Sequence, residues 1–163
     1  HNSKPVVAEV NGVATAAGCQ LVASCDLAYA SDSSKFATPG VNIGLFCSTP
    51  MVALSRVVKN KHAMEMLLTG DFIDADKAKS IGLINNSFKE DELFNEINLI
   101  ANKLVKKSTL TLKIGKKAFY NQSEMKITDA YKYASEVMIK NMMETDSEEG
   151  IRAFIDKRKP NWN

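Results

Sequence analysis

The residues of this chain with most bearing on chemistry are ones without functional side chains. In Pro5-Val6-Val7-Ala8-Glu9-Val10-Asn11-Gly12-Val13-Ala14-Thr15-Ala16-Ala17-Gly18-Cys19-Gln20-Leu21, an apolar strand meets Asn11-Gly12, and small residues then run straight into a helix. Such a run presents bare backbone N–H groups at a helix N-terminus. No side chain blocks a substrate oxygen from the amides of Ala17 and Gly18. The positive end of the helix dipole strengthens the field there. Preorganised donors of this kind form an oxyanion hole, which stabilises charge developing on a carbonyl oxygen.

Other reactive side chains are sparse. Cys19, Cys25 and Cys47 are an odd count without close spacing, which argues against a disulfide framework and fits a reducing compartment. Cys47 as a nucleophile needs a base or a depressed pKa, and the sequence shows no partner, so a buried or pocket-lining thiol is the simpler reading. His1 and His62 are the only histidines, so no metal-ligand cluster exists in the sequence and no metal is expected. Asp26 follows a helix and precedes a strand, a position suited to structural hydrogen bonding. Glu9 in a strand and Asp32 in a turn are poor general bases.

The elements that must position these residues follow from pattern. Val6 to Val10 reads as a buried strand, and Ala16 to Ser24 as a helix with Leu21 and Val22 inward. Leu27 to Ala30 reads as a second strand, Ser31 to Ser34 as a polar turn, and Lys35 to Ala37 as a short extended piece. Strand–helix–strand order at this spacing predicts an α/β crossover unit with a parallel sheet. Val41 to Thr49 is an apolar loop, and Pro50 is expected at the first helical position with Thr49 as its cap. That helix runs to about Val58, and another from His62 to Leu68. Asp74 suits an N-cap and Gly82 a C-terminal stop. Leu83 to Phe88 reads as an edge strand. The remainder is helical, with stripes such as Ile127, Ala130, Tyr131, Ala134, Val137, Met138 and Met142 forming core or subunit-interface faces.

Composition bounds the function. The 163 residues suffice for one domain, with 45% hydrophobic and 25% charged residues. A net charge of +2 gives no case for nucleic acid or a membrane surface. No apolar run reaches the length of a membrane span. The chain starts at His1 rather than Met, which reads as a processed, engineered or truncated end.

Several motifs recur together: Asn11-Gly12, Ala17-Gly18-Cys19, Cys25-Asp26-Leu27, Leu68-Thr69-Gly70-Asp71, Ala75 to Ala78, Gly82-Leu83 and the closing Gly150 to Lys159. In this order they resemble the crotonase (enoyl-CoA hydratase/isomerase) superfamily over nearly the whole chain. Gln20 to Asp26, Phe36 to Asn42, Gly44 to Pro50 and Lys157 to Pro160 resemble one subfamily of it in detail. The resemblance implies a crotonase-like ββα spiral, present in part over residues 1–90. An α-helical C-terminal trimerisation region follows over 91–163. It also implies that the family domain begins before residue 1. The earlier part would carry the first strands, a segment binding the nucleotide end of coenzyme A, and the other oxyanion-hole N–H. A fragment of this kind leaves edges uncovered and is expected to be poorly soluble alone.

The resemblance further implies an acyl-CoA ligand, with a coenzyme A thioester as substrate rather than a permanently bound cofactor. It implies a role in fatty-acid metabolism, a homotrimer or hexamer, and neither nucleic-acid nor membrane partners. The compartment is cytoplasmic for a bacterial chain and mitochondrial for a eukaryotic one. Phe154 and Lys157, three residues apart on one helical face, match residues that approach the coenzyme A of a neighbouring subunit. Lys157, Arg158 and Lys159 together suit a phosphate-rich ligand.

The family's hydratases handle water with two glutamates, and those positions fall on Gln20 and Gly40. Neither can exchange a proton near neutral pH. Gln20 either hydrogen-bonds a substrate, a water or a nearby carbonyl, or is a neutral relic. Gly40 reads as a turn residue giving space. The expectation is an acyl-CoA thioester held with its carbonyl polarised, and weak or absent hydratase activity. A non-catalytic acyl-CoA-binding or regulatory protein, or a structural subunit, are the alternatives.

Overall fold

The computed structural model describes residues 2–162. Its contacts divide the chain into two compact units. One is Val6–Ile100; the other joins the stretch ending at Pro5 to the stretch beginning at Ala101.

The first unit is built on two small sheets of short strands. β1 (Val7–Val10), β3 (Leu27–Ser31) and β6 (Asn86–Phe88) make one, in the order β1-β3-β6 with both pairs parallel. β2 (Val13–Thr15), β4 (Lys35–Ala37) and β5 (Ile73–Asp74) make the other, with β2 and β4 parallel and β5 antiparallel. The expected crossover is present, since α1 (Ala17–Ser24) connects the strands of each parallel pair. β6 is an edge strand as expected, but shorter, because Leu83 and Ile84 are spent on the core instead. The core gathers Val10, Cys19, Val22, Phe36, Leu54 and Leu67 around small alanines.

Four local expectations are corrected. β2 occupies residues 13–15, where the run of small residues had read as leading directly into the helix; β-branched Val13 and Thr15 pair with Lys35 and Ala37. Leu21 points outward and is 69% exposed, because Cys19, Val22 and Ala23 define the buried face and Leu21 lies on the opposite side. Ser31 and Ser34 are fully buried rather than solvated. Finally, α2 (Ser48–Val57) starts two residues early with Cys47 at its cap, so Pro50 is its third residue. Proline is tolerated there because the first helical N–H groups have no acceptor in any case.

Residues between these elements behave as their chemistry suggests. Pro39–Ile43 forms a 3-10 turn. α3 (Asn60–Thr69) ends at left-handed Gly70. Asp74 caps α4 (Ala75–Ser80) by accepting from the Lys77 N–H at 2.8 Å, and Gly82 follows with φ of +86°. The Asp26 carboxylate accepts from the Val6 N–H at 2.6 Å while the Asp26 N–H donates to the Val6 carbonyl at 3.0 Å. That double link is the structural role expected of Asp26.

α5 (Leu93–Val105) leads into the second unit, which holds α6 (Thr109–Ser123), α7 (Ile127–Met142) and α8 (Thr145–Ile155). Buried Ser108 caps α6 by accepting from the Thr111 N–H and donates to buried Asp146 at the start of α8. The stripe on α7 is not core within the chain: Ala130 is buried, but Ile127, Tyr131, Met138 and Met142 are exposed. No helix among the described residues is long and apolar enough to cross a membrane.

Candidate functional site

The site is assembled where β2 and β4 end side by side. Their register pairs Thr15 with Ala37, so residues 16–18 and 38–40 leave the sheet together at its carboxyl edge. That edge is where α/β folds place ligands. Two features fix the start of α1. The Ala16 N–H donates to the Ala37 carbonyl at 3.0 Å, and the Ala16 carbonyl accepts from the Gln20 N–H at 3.0 Å. Ala16 sits between them at φ 46°, ψ −112°, a conformation that L-residues adopt only under constraint.

Past that bend, the N–H groups of Ala17 and Gly18 precede Gln20, the first intrahelical donor, and so have no acceptor within the helix. Ala17 is exposed and Gly18 half-buried. A Cβ on Gly18 would meet only the Ala14 methyl, at an ordinary 3.9 Å. Close packing therefore does not require glycine here, and its effect is to leave the amide edge open. The Gln20 side chain is half-buried and has no hydrogen-bond partner among the described residues.

Gly40 differs. A Cβ built there would lie 2.6 Å from the Leu45 carbonyl oxygen and 2.9 Å from the Cys47 sulfur. The space expected to be open is filled by the loop, which corrects the reading of Gly40 as giving space. The Gly40 N–H donates to Cys47 Sγ at 3.3 Å. Cys47 is buried, as is Cys19 on α1. Burial, with the nearby Cys47 thiol adding to it, pushes Cys19 up to about 11. The thiol of Cys19 is therefore kept protonated and un-nucleophilic at neutral pH. Thr38, fully buried beside these residues in sequence, has an Oγ1 with no hydrogen-bond partner.

A hydroxyl web supports this edge. Ser34 Oγ donates to the Val10 carbonyl at 2.9 Å, accepts from the Gly12 N–H at 3.1 Å and meets Ser31 Oγ at 2.8 Å. It pins Gly12 at φ +120° and so sets where β2 begins. Sequence reading missed both this web and Thr38. Serines flanked by two strands were the available signal for the web; nothing marked Thr38.

Phe154 and Lys157 belong to the second unit. They do not share a helical face, because α8 ends at Ile155 and Lys157 turns to φ 54°. Arg158 is not available to a ligand in the manner expected. Its guanidinium grips Glu149 with Nη1 at 2.6 Å and Nη2 at 2.9 Å. No group of three or more metal-ligating side chains exists among the described residues.

The whole of residues 1–163 matches the family model described as enoyl-CoA hydratase/isomerase. This chain is a member of the enoyl-CoA hydratase/isomerase family. The subfamily resemblance also has a counterpart. The mitochondrial enoyl-CoA hydratase domain-containing protein 3 of Xenopus laevis is 56% identical over 158 residues, covering 97% of this chain and 54% of that protein. Its human namesake is 52% identical, covering 98% and 52%. The crystal structure of human enoyl coenzyme A hydratase domain-containing protein 3 superposes with a TM-score of 0.96 at 52% identity, covering 99% of this chain and 64% of that one. An enoyl-CoA hydratase from Mycobacterium smegmatis gives 0.96 at 50% identity, covering 98% and 62%. The fold is thus crotonase-like α/β with a helical C-terminal region. The chain spans about half the length of these curated relatives.

Proposed function

We propose that this family member binds an acyl-CoA thioester, with the thioester carbonyl accepting from the N–H groups of Ala17 and Gly18. The carrying observation is the strained Ala16 bend, which opens those amides at the sheet edge. Charge building on the carbonyl oxygen is stabilised there as an enolate-like state. Gln20, with its unpartnered amide, hydrogen-bonds the ligand or an attendant water. Phe154 and Lys157 of one copy contact the coenzyme A held by the next in a homotrimer or hexamer. The compartment is mitochondrial, in keeping with the names of its relatives, and the process is fatty-acid metabolism.

Hydration in the usual manner is weak or absent. It needs proton-exchanging groups, and position 40 has neither a side chain nor room for one. The same observation favours a second reading, a non-catalytic acyl-CoA-binding or regulatory subunit. Calorimetric titration with a short saturated acyl-CoA, beside a hydration assay on an enoyl-CoA, tests both. Micromolar binding with negligible hydration is the expected pair of results. No binding overturns the acyl-CoA reading, and fast hydration overturns the account of Gly40.

A further inference from the structure

Lys157 occupies a position that normally belongs to glycine. The Lys157 N–H donates to the Phe154 carbonyl at 3.2 Å, and the Arg158 N–H to the Ala153 carbonyl at 3.0 Å. This pair of bonds is a Schellman closure of α8, and its turning residue takes a left-handed conformation. Glycine adopts that conformation freely; lysine does so against its own Cβ. A strained residue that keeps a long cationic side chain points to use of that side chain. Lys157 is exposed and forms no ion pair among the described residues.

What holds the strained turn lies immediately after it. Glu149 takes both Arg158 guanidinium bonds and also accepts from the Asn161 N–H at 2.8 Å. Arg158 Nε adds a longer contact to Asp156 at 3.5 Å. The Trp162 indole N–H donates to the Lys106 carbonyl at 2.8 Å, and its ring covers Gly150, where a Cβ would meet it at 3.3 Å. Lys157 is therefore tethered on both sides, by the helix end before it and by this clasp after it.

We propose that Glu149 is a positioning residue: through Arg158 it holds Lys157 so that its ammonium faces the phosphates of acyl-CoA. This rests on the acyl-CoA reading above. Arg158, counted from sequence among the phosphate-binding cations, instead serves the clasp. A clasp that merely secures the tail would leave ligand affinity alone.

The test is calorimetric titration of the whole chain with butyryl-CoA and with butyryl-pantetheine, which lacks the diphosphate and nucleotide. Glu149→Gln is expected to weaken butyryl-CoA binding roughly two- to fivefold, as Lys157→Ala does. The double variant should be no weaker than Lys157→Ala alone. Butyryl-pantetheine binding should be unchanged in all three. Lys157→Gly should melt at a higher temperature than the parent while losing the same affinity. Unchanged butyryl-CoA binding by Glu149→Gln overturns the proposal, as does equal loss for both ligands. A parent chain that binds neither ligand overturns the acyl-CoA reading itself, and the positioning role with it.

Discussion

The sulfur of Cys47 stands 2.9 Å from where a Cβ on Gly40 would be, and it accepts the Gly40 N–H. These two residues are matched in size. The pairing determines what the site can contain, because any side chain at 40 must displace Cys47 and also the Leu45 carbonyl at 2.6 Å.

Gly40→Ala is therefore expected to destabilise the chain by about 1–3 kcal/mol, the usual cost of overpacking. Urea denaturation measures it. Cys47→Ala in the same chain should recover only part of the loss, since the Leu45 carbonyl is backbone and cannot be trimmed away. Gln20→Glu should leave hydration of an enoyl-CoA near background, because position 40 still supplies no carboxylate. A large gain from that one change would remove the basis of this account.

Thr38 makes the opposite case. Its hydroxyl is buried and unpaired, and such a group costs about 1–3 kcal/mol of desolvation. Thr38→Val keeps the shape and removes the orphan. The variant should be as stable as the parent or more so, by up to about 1 kcal/mol, in thermal unfolding.

The clasp at the chain end has a pH signature. The bidentate Arg158 fork and the Asn161 N–H hold Glu149 at about 2, below its ordinary 4.5. A depressed carboxylate contributes stability that is complete above its unfolded value and is lost as pH falls toward its folded one. The clasp should stay closed at pH 4.5 and open on acidification toward pH 2. Trp162 is the only tryptophan, so its emission reports the opening directly. In Glu149→Gln this acid transition should vanish.

Thiol labelling should rank by environment. Cys25 is half-buried, whereas Cys19 is buried and raised to about 11. Alkylation at about pH 8, followed by mass mapping, should modify Cys25 well before Cys19, whose thiolate is scarce there. The raised Cys19 value also means that native stability falls as pH climbs from 9 toward 11, where the unfolded chain releases its proton first.

Sequence was most legible where one residue type has one local job. Asp74 caps and Gly82 stops α4 as their side-chain chemistry requires, and Asp26 bonds backbone as its place between elements suggested. The α1 start was located from small residues alone, though β2 hid within the same run. Its three residues are too few for a period, and partnering by β4 is what makes them a strand. Gly40 and Thr38 were illegible for another reason, and the Ser34 web was marked only by serines lying between two strands. Their roles depend on Cys47, on burial and on Val10, none of which local pattern encodes. Lys157 was read as sharing a helical face with Phe154 because nothing in Phe154-Ile155-Asp156-Lys157 announces a helix end, and lysine is a poor marker of a left-handed residue.

The Ala16 bend makes the candidate site non-transferable. Its distortion is held by the Ala37 carbonyl, a partner that arrives only when β4 has docked. A synthetic peptide of residues 11–24 would carry both amides and none of their geometry, relaxing Ala16 at once. Recognition here is thus a property of completed folding rather than of a segment. Amide hydrogen exchange at Ala16 should consequently slow and quicken together with that of the β2–β4 pair, so that gaining the site and gaining the sheet are one equilibrium.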